Sequence, residues 1–207
     1  MLRLGLAGFG TVGSGLAKIL HENRDIILAR TGRDIRIKTI LVRDLTKKRA
    51  VETDPEVKFT TSPDDLVNDP DIDVVVELMG GVDTARALIT KALNAGKHVV
   101  TANKHLLDLH GPELSTLAAQ KNLGLYYEAS VAGGIPIVQT LRESLCANRI
   151  ERLTGIMNGT ANYILSEMTT NHLDFATALK QAQDLGYAEA DPTFDIEGLD
   201  TAHKLVV

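Results

Sequence analysis

The first thirteen residues constrain the architecture more tightly than any other stretch. "LRLGLAG" is a short apolar run rich in Leu, and Gly8-Phe9-Gly10-Thr11-Val12-Gly13 follows it as G-x-G-x-x-G. Behind it, Val12, Leu16, Ile19, Leu20, Ile27 and Leu28 recur at near-helical spacing over residues 11–31. A buried strand, a glycine turn and a helix in that order form a dinucleotide-binding fingerprint, whereas the glycine pattern alone would be weak. Each glycine has its own task. Gly8 makes the tight turn, Gly10 lets the backbone approach a pyrophosphate, and Gly13 lets the helix pack on the strand. Phosphates would rest on the helix N-terminus, where N–H groups without helical partners and the helix dipole favour an anion.

The alternation continues downstream. "DIRIKTILVRD" reads as a second strand, and "SPDDLVND" as a helix with Ser62 as its cap and Pro63 at its first position. "DIDVVVELMG" reads as a buried strand, "DTARALITKALNAG" as a helix closed by Gly96, and "KHVVTAN" as a strand. "GPELSTLAAQKN" is a further helix and "GLYYEAS" a further strand. Repeated strand-helix units demand a parallel sheet with helices on both faces. The expected fold is therefore α/β, a Rossmann-type doubly wound parallel sheet over residues 1–130. Beyond it the rhythm changes. "VAGGIPIVQTLRESLCAN" opens on a glycine pair and becomes helical, "RIERLTGIMN" is strand-like, and "TANYILSEMTTN" and "DFATALKQAQDLG" are helical. A second domain of α+β character is expected over 131–207.

Composition removes several classes of function. With 44% hydrophobic and 24% charged residues, the chain has a globular composition, and no apolar run is long enough to span a bilayer. A net charge of −5 gives no basic surface for nucleic acid. A nucleotide motif that begins at the N-terminus leaves no room for a signal peptide, so the cytoplasm is the expected location. Cys146, the single cysteine, cannot form an internal disulfide and reads as a small buried helical residue. Asn158-Gly159-Thr160 matches a glycosylation sequon but carries no meaning without a secretory signal. The six histidines show no metal-ligand spacing.

Three places carry candidate chemistry. At the end of the second strand, NAD enzymes place an acidic residue on the adenosine ribose. Here Arg43 comes first past the apolar run, with Lys47, Lys48 and Arg49 close behind. These bases either meet the 2′-phosphate of NADP or are solvated loop charges, and Asp44 leaves NAD open. Thr101, Asn103 and Lys104 fall just past a parallel strand, at the carboxyl edge where open α/β sheets bind ligands. Lys104 either reaches into that cleft or lies on the surface. Asp200 and Lys204 are four apart and share a helix face, either as a surface ion pair or as part of a site.

Five separated motifs, "GFGTVGSG", "VVTANKHLL", "EASVAGGIPI", "GIMNGTANYIL" and "LGYAEADPTFDIEGLDTAHKL", together resemble the homoserine dehydrogenases. The resemblance runs over nearly the whole chain. It implies NAD(P)-dependent interconversion of L-homoserine and L-aspartate 4-semialdehyde, in the biosynthesis of threonine, methionine and isoleucine. It also implies that residues 131–207 begin a substrate-binding and dimerisation domain, and that the full-length protein is a homo-oligomer. Lys204 would be the catalytic acid/base. Glu189 would bind the substrate, Asp200 would position it, and Lys104 would reach the nicotinamide and substrate region. The cofactor set would be Gly8, Phe9, Gly10, Thr11, Val12, Gly13, Arg43, Thr101, Lys104 and Gly186. Glu128, Val131, Gly133 and Ile135 would hold a monovalent cation, sodium in type, largely through backbone oxygens. Ala161 departs from the polar residue the family often has there, and touches none of these roles.

The chemistry agrees with those roles. Oxidising an alcohol to an aldehyde removes a hydride from carbon and a proton from oxygen, and the protein must take the proton. Two other functions compete: another oxidoreductase of this architecture, and a non-catalytic module that senses NAD(H). An acylating semialdehyde dehydrogenase needs a nucleophilic cysteine, and Cys146 lies outside a suitable motif. A sensing module would need no residue like Glu189 or Lys204. Family catalytic regions run well past Val207, so the chain is expected to be an N-terminal fragment that is nearly inactive alone.

Overall fold

The computed structural model describes residues 1–49 and 51–207, which fall into two compact units, 1–130 and 131–207. The first holds β1 (Leu2–Ala7), α1 (Thr11–Glu22), α2 (Arg24–Thr31), β2 (Ile35–Leu41), β3 (Lys58–Thr60) and α3 (Asp64–Val67). It continues with β4 (Val74–Glu77), α4 (Asp83–Asn94), β5 (His98–Thr101), α5 (Lys104–Gln120) and β6 (Leu125–Tyr126). The strands form one sheet in the order β3-β2-β1-β4-β5-β6, and every neighbouring pair is parallel. Strand order reverses between β1 and β4. Their carboxyl ends, Ala7 and Glu77, are register partners at the mouth of the crevice.

The sheet is central and dry. Leu4, Leu6, Ile40, Val74 and Val76 form a buried cluster, and all four residues of β4 are buried, as expected of a strand covered on both faces. Helix α4 buries Ala85, Leu88, Ile89, Ala92 and Leu93, and α5 buries Leu106, Leu107, Leu114 and Ala118. The outer strands are short, three residues in β3 and two in β6.

Several local expectations change. The helix expected over 11–31 is two helices, broken at Asn23. Ser62 makes no side-chain cap; its carbonyl accepts from Asp65 N, and α3 is a four-residue turn. The helix expected from Gly111 begins seven residues earlier, at Lys104, and runs through Pro112. The Asn103 side chain caps it by accepting from Leu106 N at 3.1 Å, and burial of Leu106 and Leu107 makes the extra turns favourable.

The second unit holds α6 (Ile137–Gln139), a π-helical segment (Thr140–Ser144), α7 (Gly159–Thr170), α8 (Phe175–Asp184), α9 (Thr193–Ile196) and α10 (Leu199–Val206). Ile164, Ala178, Ala182 and Ala188 make its core, flanked by Tyr163, Met168, Leu173 and Leu179. Asn158 caps α7 through Ala161 N, and Asp174 caps α8 through Thr177 N. No strand forms among its described residues. The strand expected over 149–158 is absent, because a strand exists only through a ladder partner and none lies beside it. Cys146 is exposed rather than buried, since it lies past the end of the π-helical segment.

Candidate active site

The glycine loop follows β1 directly. Gly8 sits at φ +101, and a Cβ there would lie 2.5 Å from the Leu78 carbonyl oxygen, so only glycine fits between β1 and the loop after β4. A Cβ on Gly13 would lie 2.2 Å from the Gly8 oxygen, so glycine is also required where α1 packs on the turn. A Cβ on Gly10 would meet nothing within 4 Å. That open space lies at the N-cap of α1, whose first amides lack helical acceptors, and Val12 and Thr11 are exposed beside it. An open cradle at the amino end of a twelve-residue helix fits a pyrophosphate. Phe9 packs edge-on against Phe59, with ring centroids 5.6 Å apart.

Arg43 is exposed, two residues past β2 on the carboxyl side of the sheet. Its acidic neighbour is engaged locally. Asp44 Oδ1 accepts from Thr46 Oγ1 at 2.7 Å and from Thr46 N at 2.8 Å, and the hydroxyl bond first, then the amide, holds the carboxyl below its usual range. Arg49 donates to the Asp44 and Lys47 carbonyls and lies 4.7 Å over the Phe59 ring. The carboxyl end of β2 therefore carries two guanidiniums, and its aspartate is folded into its own turn.

Thr101 ends β5 and is fully buried. Its hydroxyl donates to Glu77 Oε2 at 2.7 Å and accepts from Asn103 N at 3.1 Å. Its carbonyl accepts from Ser130 Oγ at 3.1 Å. Lys104 is the first residue of α5 and is half-buried. The early start of α5 thus puts Lys104 on the first helical turn, directly past the sheet edge.

In the second unit, Lys204 and Asp200 lie one turn apart on α10. Lys204 Nζ donates to Asp200 Oδ2 at 2.8 Å and to the Met157 carbonyl at 2.5 Å. The two side chains are 21% and 7% exposed, so this is no surface i,i+4 pair. Asn158 Nδ2 also donates to Asp200 Oδ2, at 2.8 Å, and to Asp195 Oδ1 at 2.7 Å. Residues 157–158 and α10 therefore meet at the lysine, and Asn158 ties α9 to the same arrangement through Asp195. Glu189 is exposed on the connection between α8 and α9, and its carbonyl accepts from Gln183 Nε2. Gly186 turns that connection at φ +77.

The four residues expected at a cation fall on both sides of the unit boundary. Glu128 opens a 3-10 turn, Glu128–Ser130, in the first unit. Val131, Gly133 and Ile135 open the second, with Gly133 at φ +60 and the Ile135 carbonyl accepting from Ile137 N at 2.9 Å. Their donor set is oxygen only, which suits a hard cation. Among the described residues, no group of three or more His, Cys, Asp or Glu side chains could hold a metal ion.

Sequence reasoning missed Asn158 and Asp195 as parts of these arrangements. Asn158 was visible only as a sequon and as one letter of a family motif, because its carboxylate partners lie 37 and 42 residues away.

Comparison with known proteins fits this geometry. Residues 8–128 match the homoserine dehydrogenase NAD binding domain family, and residues 136–207 match the homoserine dehydrogenase family. The homoserine dehydrogenase of Bacillus subtilis is 48% identical over 206 residues, 100% of this chain and 47% of that protein. A crystal structure of a homoserine dehydrogenase from Thiobacillus denitrificans superposes with a TM-score of 0.90 at 53% identity, covering 99% of this chain and 47% of that one. A hyperthermophilic archaeal homoserine dehydrogenase in complex with NADPH gives a TM-score of 0.82 at 28% identity, over 99% of this chain and 67% of that one. The chain thus spans about half the length of the curated relatives it matches. No helix among the described residues is long and apolar enough to cross a membrane.

Proposed function

This chain belongs to the homoserine dehydrogenase family, and from that premise we propose that it performs the NAD(P)-dependent interconversion of L-homoserine and L-aspartate 4-semialdehyde. The observation that carries the reading is the Lys204 ammonium, held out of bulk water by Asp200 and the Met157 carbonyl. As the neutral amine, Lys204 would take the hydroxyl proton in the oxidative direction and become the ammonium, and as the ammonium it would give that proton back in the reductive one. Asp200 orients that lysine through their bond, and Asn158 holds Asp200 from the other side. The exposed Glu189 carboxylate suits the substrate ammonium.

Residues 1–130 are the dinucleotide-binding domain in this proposal, and 131–207 begin the substrate-binding and catalytic domain. The open Gly10 cradle and the amino end of α1 bind the pyrophosphate, with Phe9, Thr11 and Val12 around it. Arg43 meets the 2′-phosphate of NADP. Thr101, Lys104 and Gly186 complete the cofactor set. The bound nicotinamide would supply the hydride acceptor or donor. By the family resemblance, Glu128, Val131, Gly133 and Ile135 would hold a sodium-like cation, largely through backbone oxygens. The protein is proposed to work in the cytoplasm as a homo-oligomer, in threonine, methionine and isoleucine biosynthesis.

The test is a spectrophotometric assay on the purified full-length protein. NADPH should form when homoserine and NADP are both present, and not with either alone. Turnover of an unrelated alcohol in place of homoserine would reassign the substrate.

A further inference from the structure

One buried titratable group stands outside that mechanism. Glu77 ends β4 at the point where strand order reverses, and it is fully buried behind the apolar run Val74-Val75-Val76. A carboxyl group in such a place is costly unless its oxygens are satisfied, and here they are. Oε1 accepts from Met79 N at 2.8 Å and from Gly80 N at 3.2 Å. Oε2 accepts from Thr101 Oγ1 at 2.7 Å. The Thr101 hydroxyl accepts in turn from Asn103 N, and Asn103 Nδ2 donates back to the Gly81 carbonyl at 2.5 Å. The bonds close a ring through Glu77, Met79, Gly80, Gly81, Asn103 and Thr101.

The ring joins two walls of one crevice. On one side is the loop after β4, whose Leu78 carbonyl presses on Gly8 so closely that no Cβ could stand there. On the other is the start of α5, which Asn103 caps and where Lys104 is the first residue. We propose that Glu77 is a positioning residue whose carboxylate fixes the spacing between the wall facing the glycine loop and the helix turn that carries Lys104. The chemistry explains the residue type. Three donors converge on one group, so it must accept at both oxygens. A glutamine would turn an NH₂ against either the loop amides or the threonine hydroxyl, and an apolar residue would leave all three donors without acceptors. The proposal rests on the reading of the first unit as the cofactor domain of a homoserine dehydrogenase.

Four forms of the full-length protein test it: wild type, Glu77→Gln, Asn103→Ser and the double variant. Serine keeps the helix cap but is too short to reach the Gly81 carbonyl. Each is examined by thermal melting, by NADPH fluorescence titration without substrate, and by kcat and KM with homoserine. Glu77→Gln should weaken NADPH binding by about 10-fold and lower kcat by about 10-fold, since a lost bond to a charged acceptor costs at least that much. Asn103→Ser should move both quantities in the same direction by a smaller factor. The double variant should be little worse than Glu77→Gln alone, because parts of one ring are not additive. A folded Glu77→Gln with wild-type NADPH affinity and kcat would overturn the proposal, even if its melting point fell, because the role would then be stability alone. Fully multiplicative effects in the double variant would overturn it too. If Glu77→Gln does not fold, Asn103→Ser decides on the same readouts. Wild-type protein that binds NADPH but does not turn over homoserine refutes the assigned reaction, and the titrations still judge the ring.

Discussion

At the scale of single residues, the proposed chemistry falls to two lysines with different surroundings. Lys204 is held by a carboxylate and a carbonyl that are themselves fixed, whereas Lys104 stands at the opening of a helix. Removing Lys204 should therefore affect the proton and little else. In the full-length protein, Lys204→Ala should lower kcat by about 10²–10⁴-fold, the usual contribution of a general acid/base, with NADPH affinity unchanged. A loss confined to KM would make Lys204 a binding residue. Arg43 gives a second prediction at this scale. Arg43 is exposed at the end of β2, whereas one oxygen of its acidic neighbour Asp44 is engaged by Thr46. Arg43→Ala should weaken NADPH binding by about 10-fold relative to NADH, the cost of losing one charged hydrogen bond. Parallel titrations of both cofactors read the ratio, and an unchanged ratio would pass the selector role to Arg49.

At the scale of elements, α2 is tied to β2 by charge. Asp34, one residue before β2, accepts from Arg24 Nε at 2.9 Å and Nη2 at 2.8 Å, and from Arg36 Nε at 3.2 Å. The Arg24 hydrogen bond, with Arg36 behind it, lowers the Asp34 pKa to about 2. The unfolded value is about 3.9. A carboxyl whose pKa is depressed in the fold contributes stability above its unfolded pKa and loses it as pH falls through the folded one. The contribution of Asp34 should therefore be complete above about pH 4 and erode toward about pH 2. Urea midpoints between pH 5 and pH 2.5 should fall less steeply for Asp34→Asn than for the wild type, and equal slopes would show that the link carries no pH dependence.

Elements also differ in how plainly the sequence announces them. β1, β4 and β5 are short apolar runs next to glycines or polar turns, and α4 has unbroken helical spacing, so local pattern sufficed. β3 escaped because Lys58-Phe59-Thr60 is only three residues long and is a strand only through its pairing with Thr39, Ile40 and Leu41. The start of α5 was placed late because Gly111-Pro112 has the chemistry of a helix beginning, while the true cap, Asn103, lay in what read as the end of a strand. The glycine loop and the Asp200–Lys204 pair were legible because each is local, within six residues or one helical turn. Asn158 and Glu77 were not, since the side chains that tie them into their arrangements, Thr101 for Glu77 and Asp195 and Asp200 for Asn158, lie 24, 37 and 42 residues away, and no short window contains both ends.

At the scale of the whole molecule, residues 1–130 have their own sheet and their own core. A unit of that size with a complete interior is in the range that folds independently. Expressed alone, residues 1–130 should unfold cooperatively and bind NADPH, because the Gly10 cradle, the α1 terminus and Arg43 all belong to it. Fluorescence titration checks this, and a 1–130 protein that folds but does not bind would make Gly186, or another residue beyond 130, indispensable to cofactor binding.

The two outermost strands have one more consequence. A sheet invites misassembly through its borders, where unpaired amides and carbonyls offer a template to any extended chain. Here the borders are three residues at β3, with Lys58 exposed and paired to Asp65, and two residues at β6. The sticky sequences, the Val74-Val75-Val76 run above all, lie in the middle, with a strand bonded on either side. The native fold should therefore be resistant to fibre formation, and the hazard should fall in the interval during synthesis before β5 has emerged to close over β4.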